Sequence, residues 1–317
     1  MTNILITGGC GFIGSNLIRF LIEKTNWNIK LLDNLSSGKL EYNKDIIDNY
    51  ERLEFFKGDI CNNEDITELV DECGYIVNLA AQTSVIESIQ DPNNDHNINV
   101  KGLLNLLSVC KEGKVKKFIH ASSAAAVGNQ KMPMDENKVP KPISPYGASK
   151  LAGEGYCCAF SNSFNINSVA LRFSNVYGPL SFQKGSVVAK FIKRIIKKES
   201  LEVYGDGKQT RDFIHVNDIC KGIYFSLIKD TGLFNVIQLG TGTETSVNEL
   251  IEILKYNFSQ LNIEFPQILY TKERTGEIYR NYTSISKAKR IINFSIDYDI
   301  QKGLHDTILW FMSEYKK

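Results

Sequence analysis

Near its start the chain reads Asn3-Ile-Leu-Ile-Thr-Gly-Gly-Cys-Gly-Phe-Ile-Gly14, with glycines at 8, 11 and 14 directly behind an apolar run. Four glycines in the seven residues 8–14, three of them at a spacing of three, remove the Cβ barrier to a tight turn and let backbone segments approach closely. A strand must therefore turn at once into a helix, read over 14–24 from Leu17, Ile18, Leu21 and Ile22 on one face. The first N–H groups of such a helix have no partner within it, and its positive end attracts a diphosphate. On this reading Gly8, Gly11, Phe12, Ile13 and Gly14 seat a dinucleotide. Asp33 closes the next apolar run, 19 positions after Gly14. A carboxylate there accepts hydrogen bonds from an adenosine ribose and repels a 2′-phosphate, which favours NAD over NADP.

The rest of the first half keeps the same rhythm. Apolar runs at 3–7, 29–32, 53–57, 76–80, 117–121 and 168–173 alternate with helical patterns at 14–24, 100–111 and 146–162. Such alternation predicts a doubly wound parallel sheet, an α/β fold of Rossmann type. After about Ser174 the elements become shorter, with Gly, Ser, Tyr and charge clustered at 177–186 and 204–212. We expect an NAD-binding domain over 1–174, with a return segment at about 212–240 that includes strands at 213–216 and 236–239. A smaller C-terminal α/β substrate domain is expected from 175–211 and 241–317.

Bulk properties exclude several classes. Among 317 residues, 43% are hydrophobic and 23% charged, with a formal net charge of +1. No global field draws the chain to nucleic acid or to a membrane. The densest basic run, 190–198, is interleaved with apolar residues at helical spacing and reads as the solvated face of an amphipathic helix. Seven cysteines show neither CxxC nor Cys/His metal spacing, so reduced thiols, no metal and a cytoplasmic location are expected. No signal-like segment precedes Gly8, and no run of about 18 apolar residues occurs.

Further strand ends carry chemistry. Asp59-Ile60 follows the third run, and Asn78-Leu79-Ala80-Ala81 closes the fourth with small residues, as a cofactor lying across strand ends requires. Tyr146 and Lys150 are four apart and share a helical face. An ammonium beside a phenol is expected to lower the phenol's pKa toward neutrality and make it a proton acceptor. Ser123 ends the fifth run, at the edge where open parallel sheets place ligands.

The glycine turn with Asp33, Ser123, Tyr146-xxx-Lys150 and Asn97-Ile-Asn-Val100 together resemble the extended short-chain dehydrogenase/reductase family, and within it the NAD-dependent nucleotide-sugar epimerases and dehydratases. The segments beginning at Arg172, Tyr204 and Arg274 carry the resemblance through the second half. It implies that Ser123, Tyr146 and Lys150 form a catalytic triad, with Lys150 also holding the nicotinamide ribose and Asn99 behind the lysine. It adds Asn34, Ser37, Gly38, Asp59, Ile60, Leu79, Ala80, Ala81, Thr83 and Phe173 to the cofactor site. Asn175, Arg211 and Arg274 would face a substrate diphosphate, as paired guanidinium donors suit phosphate oxygens. Tyr204, Gln209 and Val187 would line the base pocket, and Glu277 would meet a ribose. A homodimer through the helices at about 100–111 and 146–162 is implied as well.

The same resemblance frames the reaction. Dehydratases carry an Asp-Glu or Ser-Glu pair after the serine, whereas this chain has Ala124-Ala125-Ala126. That favours 4-epimerisation of a UDP-sugar through a transient 4-keto sugar. Asn281 occupies a position where a bulky tyrosine excludes N-acetyl groups, which points to UDP-GlcNAc/UDP-GalNAc, with UDP-Glc/UDP-Gal alongside. A uronic acid substrate (UDP-glucuronate) or a dehydratase or reductase activity is the alternative. Two positions depart from the pattern: Val127 replaces a usual tyrosine, and Thr83 stands where some epimerases have a lysine near the cofactor phosphates.

Overall fold

The computed structural model describes residues 2–111, 114–273 and 279–316. Six strands come early in the chain: β1 (Asn3–Thr7), β2 (Asn28–Asp33), β3 (Leu53–Lys57), β4 (Tyr75–Asn78), β5 (Lys117–Ser123) and β6 (Ser168–Phe173). A late strand, Phe234–Leu239, joins them. The spatial order is Phe234–Leu239, β6, β5, β4, β1, β2, β3, and every pairing is parallel. The order reverses direction beside β1, so the crevice lies where β1 and β4 diverge at their carboxyl ends.

Helices cover both faces. Leu17, Ile18 and Leu21 of α1 (Phe12–Lys24) pack with Ile219, Ile223 and Leu227 of the helix Val216–Ile228 on one side. On the other side, Ile66, Leu103, Leu106 and Cys157 come from the helices Asn63–Asp71, Gly102–Cys110 and Pro145–Phe164. Every residue of β6 is buried, as a strand covered on both faces requires. A separate core gathers Val188, Ile192, Leu250, Phe258, Leu304 and Phe311 from the later chain. The basic run lies on the helix Val187–Ile196, which buries Val188, Phe191, Ile192 and Ile195 and turns Lys190 and Arg194 toward Glu202.

Three boundaries differ from expectation. β4 stops at Asn78 because Leu79 and Ala80 leave the sheet to pass beneath Gly8, held by Leu79 N–H to Thr7 O at 3.1 Å. The helix expected at 100–111 starts earlier, with a π-helical turn over Asn97–Lys101 that runs into Gly102–Cys110. Phe213–His215 does not join the central sheet; it pairs with Asn175–Tyr177 in a parallel two-stranded ribbon. No described helix is long and apolar enough to cross a membrane.

One ion pair lies inside the fold. Arg172 donates to both oxygens of Glu154, at 2.8 and 2.7 Å, and Ser122 donates to the same carboxylate at 2.5 Å. Both partners are almost fully buried. Removing one partner would leave the other charged and dry, a loss of about 3–5 kcal/mol. We therefore expect Glu154→Ala to lower the denaturation midpoint sharply, while a paired Glu154→Leu, Arg172→Met variant recovers most of it. Chemical denaturation of the three proteins checks this.

Candidate active site

The carboxyl edge of the sheet is shaped first by the glycine turn. Gly8 has φ +67, and a Cβ on it would lie 2.6 Å from Ala80 N. A Cβ on Gly14 would lie 2.5 Å from Gly8 O. No side chain therefore fits at either place, and the turn stays flat against the β4 loop. α1 begins at Phe12 behind Gly11, which offers no side-chain cap. The N–H groups of Phe12, Ile13 and Gly14 open the helix, and this end suits an anion.

Asp33 is buried at the end of β2. Its two oxygens accept from Cys10 N–H at 2.9 Å and Leu35 N–H at 2.8 Å. Burial raises its pKa, and those two bonds oppose the rise. Each oxygen keeps a lone pair for a further donor. Gly38 backs onto Cys10 and Asp33. Beside it, Asn34 donates to Asp59 at 2.8 Å, and Asp59 accepts from Cys61 N–H at 2.8 Å. Burial opposes ionisation of Asp59, yet those bonds hold its carboxyl below the ordinary value. Ile60 is buried, Ser37 and Thr83 are exposed, and Leu79, Ala80 and Ala81 are half-buried along the crevice. Phe173 is buried at the end of β6.

Ser123, Tyr146 and Lys150 meet one sheet position away. Ser123 is the last residue of β5, and Tyr146 and Lys150 lie on the first turns of the helix Pro145–Phe164, capped by Ser144. The Ser123 hydroxyl lies beside the Tyr146 phenol and favours its ionised form, while accepting from Ala125 N–H at 3.1 Å. The Lys150 ammonium lies 5.8 Å from the Tyr146 ring centroid and donates to Ala121 O at 2.9 Å. Burial lowers Lys150 to about 8, with Asp95 pulling it up and Lys184 pushing it down. The phenol differs from expectation: burial raises Tyr146, the Ser123 hydroxyl works the other way, and Asp95 adds to the rise. The cause is burial, which disfavours the phenolate; the ammonium makes its hydrogen bond to Ala121 O.

Asn99 is buried in the π turn. It donates to Gln82 O, Asp95 Oδ1 and Ser149 Oγ at 3.0, 2.9 and 3.2 Å, and accepts from Gln82 N–H. It thus orders the loop that leads from Ala81 and the residue next to Lys150. Asp95, 1% exposed, escaped the sequence reading; its spacing of four from Asn99 was the available signal.

Across the crevice, Asp212 ties the second lobe to the first. Its buried carboxylate accepts from Thr241 N–H, Thr241 Oγ1, Gly242 N–H and Thr283 N–H. Its carbonyl accepts from Asn175 N–H at 2.9 Å. Arg211 lies beside it and donates to Thr210 O at 2.7 Å. Gln209 donates to Tyr204 O at 2.8 Å, and Val187 opens the helix Val187–Ile196. Asn281 is half-buried between Arg280, which pairs with Glu244, and Tyr282, whose carbonyl accepts from Met134 N–H. Arg274 and Glu277 lie outside the described residues. After Ser123, Ala124–Ala126 form a single 3-10 turn with no carboxylate, and Val127 is buried against Ala124 and Met134.

Comparison with known proteins bears on this edge. The model of the "NAD dependent epimerase/dehydratase family" matches residues 4–240. A relative named "Putative UDP-glucose 4-epimerase", from Methanocaldococcus jannaschii, is 37% identical over 313 residues, covering 97% of each chain. A solved UDP-N-acetylglucosamine 4-epimerase from Methanobrevibacter ruminantium M1, in complex with UDP-N-acetylmuramic acid, superposes with a TM-score of 0.91 at 35% identity over 99% of both chains. A UDP-glucuronic acid 4-epimerase mutant from Bacillus cereus, in complex with a fluorinated UDP-glucuronic acid and NAD, reaches 0.92 at 28% identity, over 99% of this chain and 100% of that one. A glycine turn with no room for a side chain, and matches that run the length of the protein, lead to one conclusion: this chain belongs to the NAD dependent epimerase/dehydratase family.

Proposed function

We propose that the protein inverts carbon 4 of a UDP-hexose, interconverting UDP-GlcNAc and UDP-GalNAc, with UDP-Glc and UDP-Gal as further substrates. The observation that carries this reading is the meeting of Ser123, Tyr146 and buried Lys150 at one strand end, with three alanines after the serine. That constellation supports removal and return of a hydroxyl proton, and no acidic side chain stands after Ser123 to expel water.

The residues present fit NAD. The start of α1 has no side-chain cap over its first N–H groups, and Asp33 retains lone pairs for a ribose diol. When bound there, NAD supplies hydride acceptance from carbon 4 and hydride return to it. The chain's own part is proton handling and positioning. Tyr146 takes the 4-hydroxyl proton and gives it back, while Ser123 orients the same oxygen. Lys150 contributes positive charge beneath the ring. In this proposal the segments 175–211 and 241–317 hold the sugar nucleotide, with Asn175, Arg211 and Arg274 at the diphosphate. Tyr204, Gln209, Val187 and Glu277 would hold the nucleoside. An anchored diphosphate with a loosely held hexose lets the 4-keto sugar turn its other face to the cofactor.

Asn281 supports the N-acetylated pair, because it is smaller than the tyrosine that excludes such groups. The similarity to the Bacillus cereus glucuronate enzyme supports the second reading. Incubation of purified protein with UDP-GlcNAc, UDP-Glc and UDP-GlcA, followed by NMR, separates the two. We expect equilibrium mixtures of epimers from the first two. Epimerisation of UDP-GlcA alone would overturn the primary reading. Asn281→Tyr should suppress turnover of the N-acetylated sugar selectively; equal loss for both neutral sugars would remove the gate. Tyr146→Phe should reduce kcat by roughly a hundredfold or more.

Lys150 carries a stability test. Its folded value of about 8 lies below the ordinary 10.5. Between these values the unfolded chain binds more protons, so stability rises with pH across that window. Below it, the cost of burying the ammonium is borne in full. Lys150→Met should therefore melt higher than the parent at pH 7 in nucleotide-stripped protein, and the advantage should shrink toward pH 10. Thermal unfolding at both values decides.

We also propose a homodimer through the helices Gly102–Cys110 and Pro145–Phe164. Tyr156 and Phe164, 38% and 47% exposed, support it as exposed aromatic surface on the second helix. Light scattering should give twice the 35.8 kDa chain mass, and Tyr156→Glu should shift it to the monomer.

A further inference from the structure

The second lobe sends a lysine into the crevice that the sequence did not single out. Lys184 lies in the loop 179–186, and its ammonium donates to Thr83 Oγ1 at 3.1 Å, across 101 positions of chain. The loop is built to hold it there. Lys184 N–H donates to Ser181 O, Ser181 Oγ donates to Gly178 O at 2.6 Å, and Lys193 Nζ donates to the carbonyls of Phe182 and Lys184 at 3.0 and 3.3 Å. Thr83 follows Ala80 and Ala81 in the loop that Gly8 touches, so the ammonium stands on the path from the start of α1 to Tyr146.

We propose that Lys184 is an anion-binding residue of this site, delivered by the second lobe, and that it holds a diphosphate oxygen of bound NAD. Among the described residues the ammonium has no carboxylate partner; its one side-chain bond is to a neutral hydroxyl. Lys150 feels its charge, so two ammoniums face one crevice, and burial disfavours the charge on each. Such an arrangement costs free energy unless an anion enters between them. A dinucleotide laid from the helix start to Tyr146 is negative only at its diphosphate, since the nicotinamide ribose is neutral. Thr83 itself brings no charge, and Lys184 supplies a cation at that spot.

The proposal rests on the reading of this sheet edge as the seat of NAD, and the test separates the two. Lys184→Met and Lys184→Arg are compared with the parent after nucleotide is stripped, by calorimetric titration with NAD, ADP-ribose and adenosine. We expect Lys184→Met to weaken NAD and ADP-ribose alike by roughly tenfold, the scale of one charge-assisted hydrogen bond. Adenosine should be unaffected, and Lys184→Arg should recover most of the loss. Unchanged NAD and ADP-ribose affinity in Lys184→Met would overturn the proposal and leave Lys184 as a tie between lobes. Unchanged NAD affinity with a raised KM for UDP-GlcA alone would overturn it in favour of a sugar carboxylate. A parent protein that binds adenosine but neither diphosphate would overturn the NAD seat itself. Melting of the stripped variants at the parent temperature confirms that folding is intact.

Discussion

A close approach of two backbone segments sets the plan of the active edge. β1 and the loop after β4 come so near that only a hydrogen fits between Gly8 and the backbone of Ala80. This contact brings the carboxyl ends of two adjacent parallel strands to one line. It also aims the start of α1 across them, because Gly14 must fit against Gly8 O. The loop from Leu79 onward is carried toward Asn99, and from Asn99 to the helix that bears Tyr146 and Lys150. Phosphate seat and proton-transfer group are thus parts of one continuous backbone arrangement.

Buried charge is distributed with a consistent sign. Asp33 and Asp212 are satisfied by backbone and hydroxyl donors, and Asp95 by an amide, without direct cation partners in their hydrogen-bond sets. Such donors offset the desolvation of a carboxylate, and Asp95 acts on Lys150 through space without a hydrogen bond to it. Lys150 and Lys184 face inward with burial acting against their charge. An electropositive crevice at the helix start suits a ligand that carries diphosphates. The Glu154–Arg172 pair behaves differently: it is closed on itself behind β5 and β6 and holds the sheet to the helix Pro145–Phe164.

Much of this was legible before any coordinates. The run from Asn3 to Gly14 specifies strand, turn and helix through local physics alone, because glycine spacing and apolar periodicity act within a few residues. The strands 53–57 and 168–173 emerge as read: 168–173 is buried throughout, as a strand covered on both faces requires, while 53–57 lies at the sheet edge with Glu54 and Lys57 exposed. Phe213–His215 is a strand as read, but its partner is not legible, because a three-residue strand carries no partner information; it pairs with Asn175–Tyr177 beside Asp212. The early end of β4 was hidden because Leu79 and Ala80 look apolar, while their course answers to Gly8.

The sequence by itself determined the fold class, the dinucleotide turn and the Tyr146–Lys150 spacing, since each follows from contacts within one element. Only the tertiary structure decided the electrostatics. Whether a lysine lowers a phenol depends on how deeply the phenol is buried, and here burial raises Tyr146. The meeting of Lys184 with Thr83 joins residues from different lobes, and no local periodicity encodes a contact over that separation. Burial supplies the physical reason in both cases: it makes a charge expensive, and burial is a property of the assembled chain.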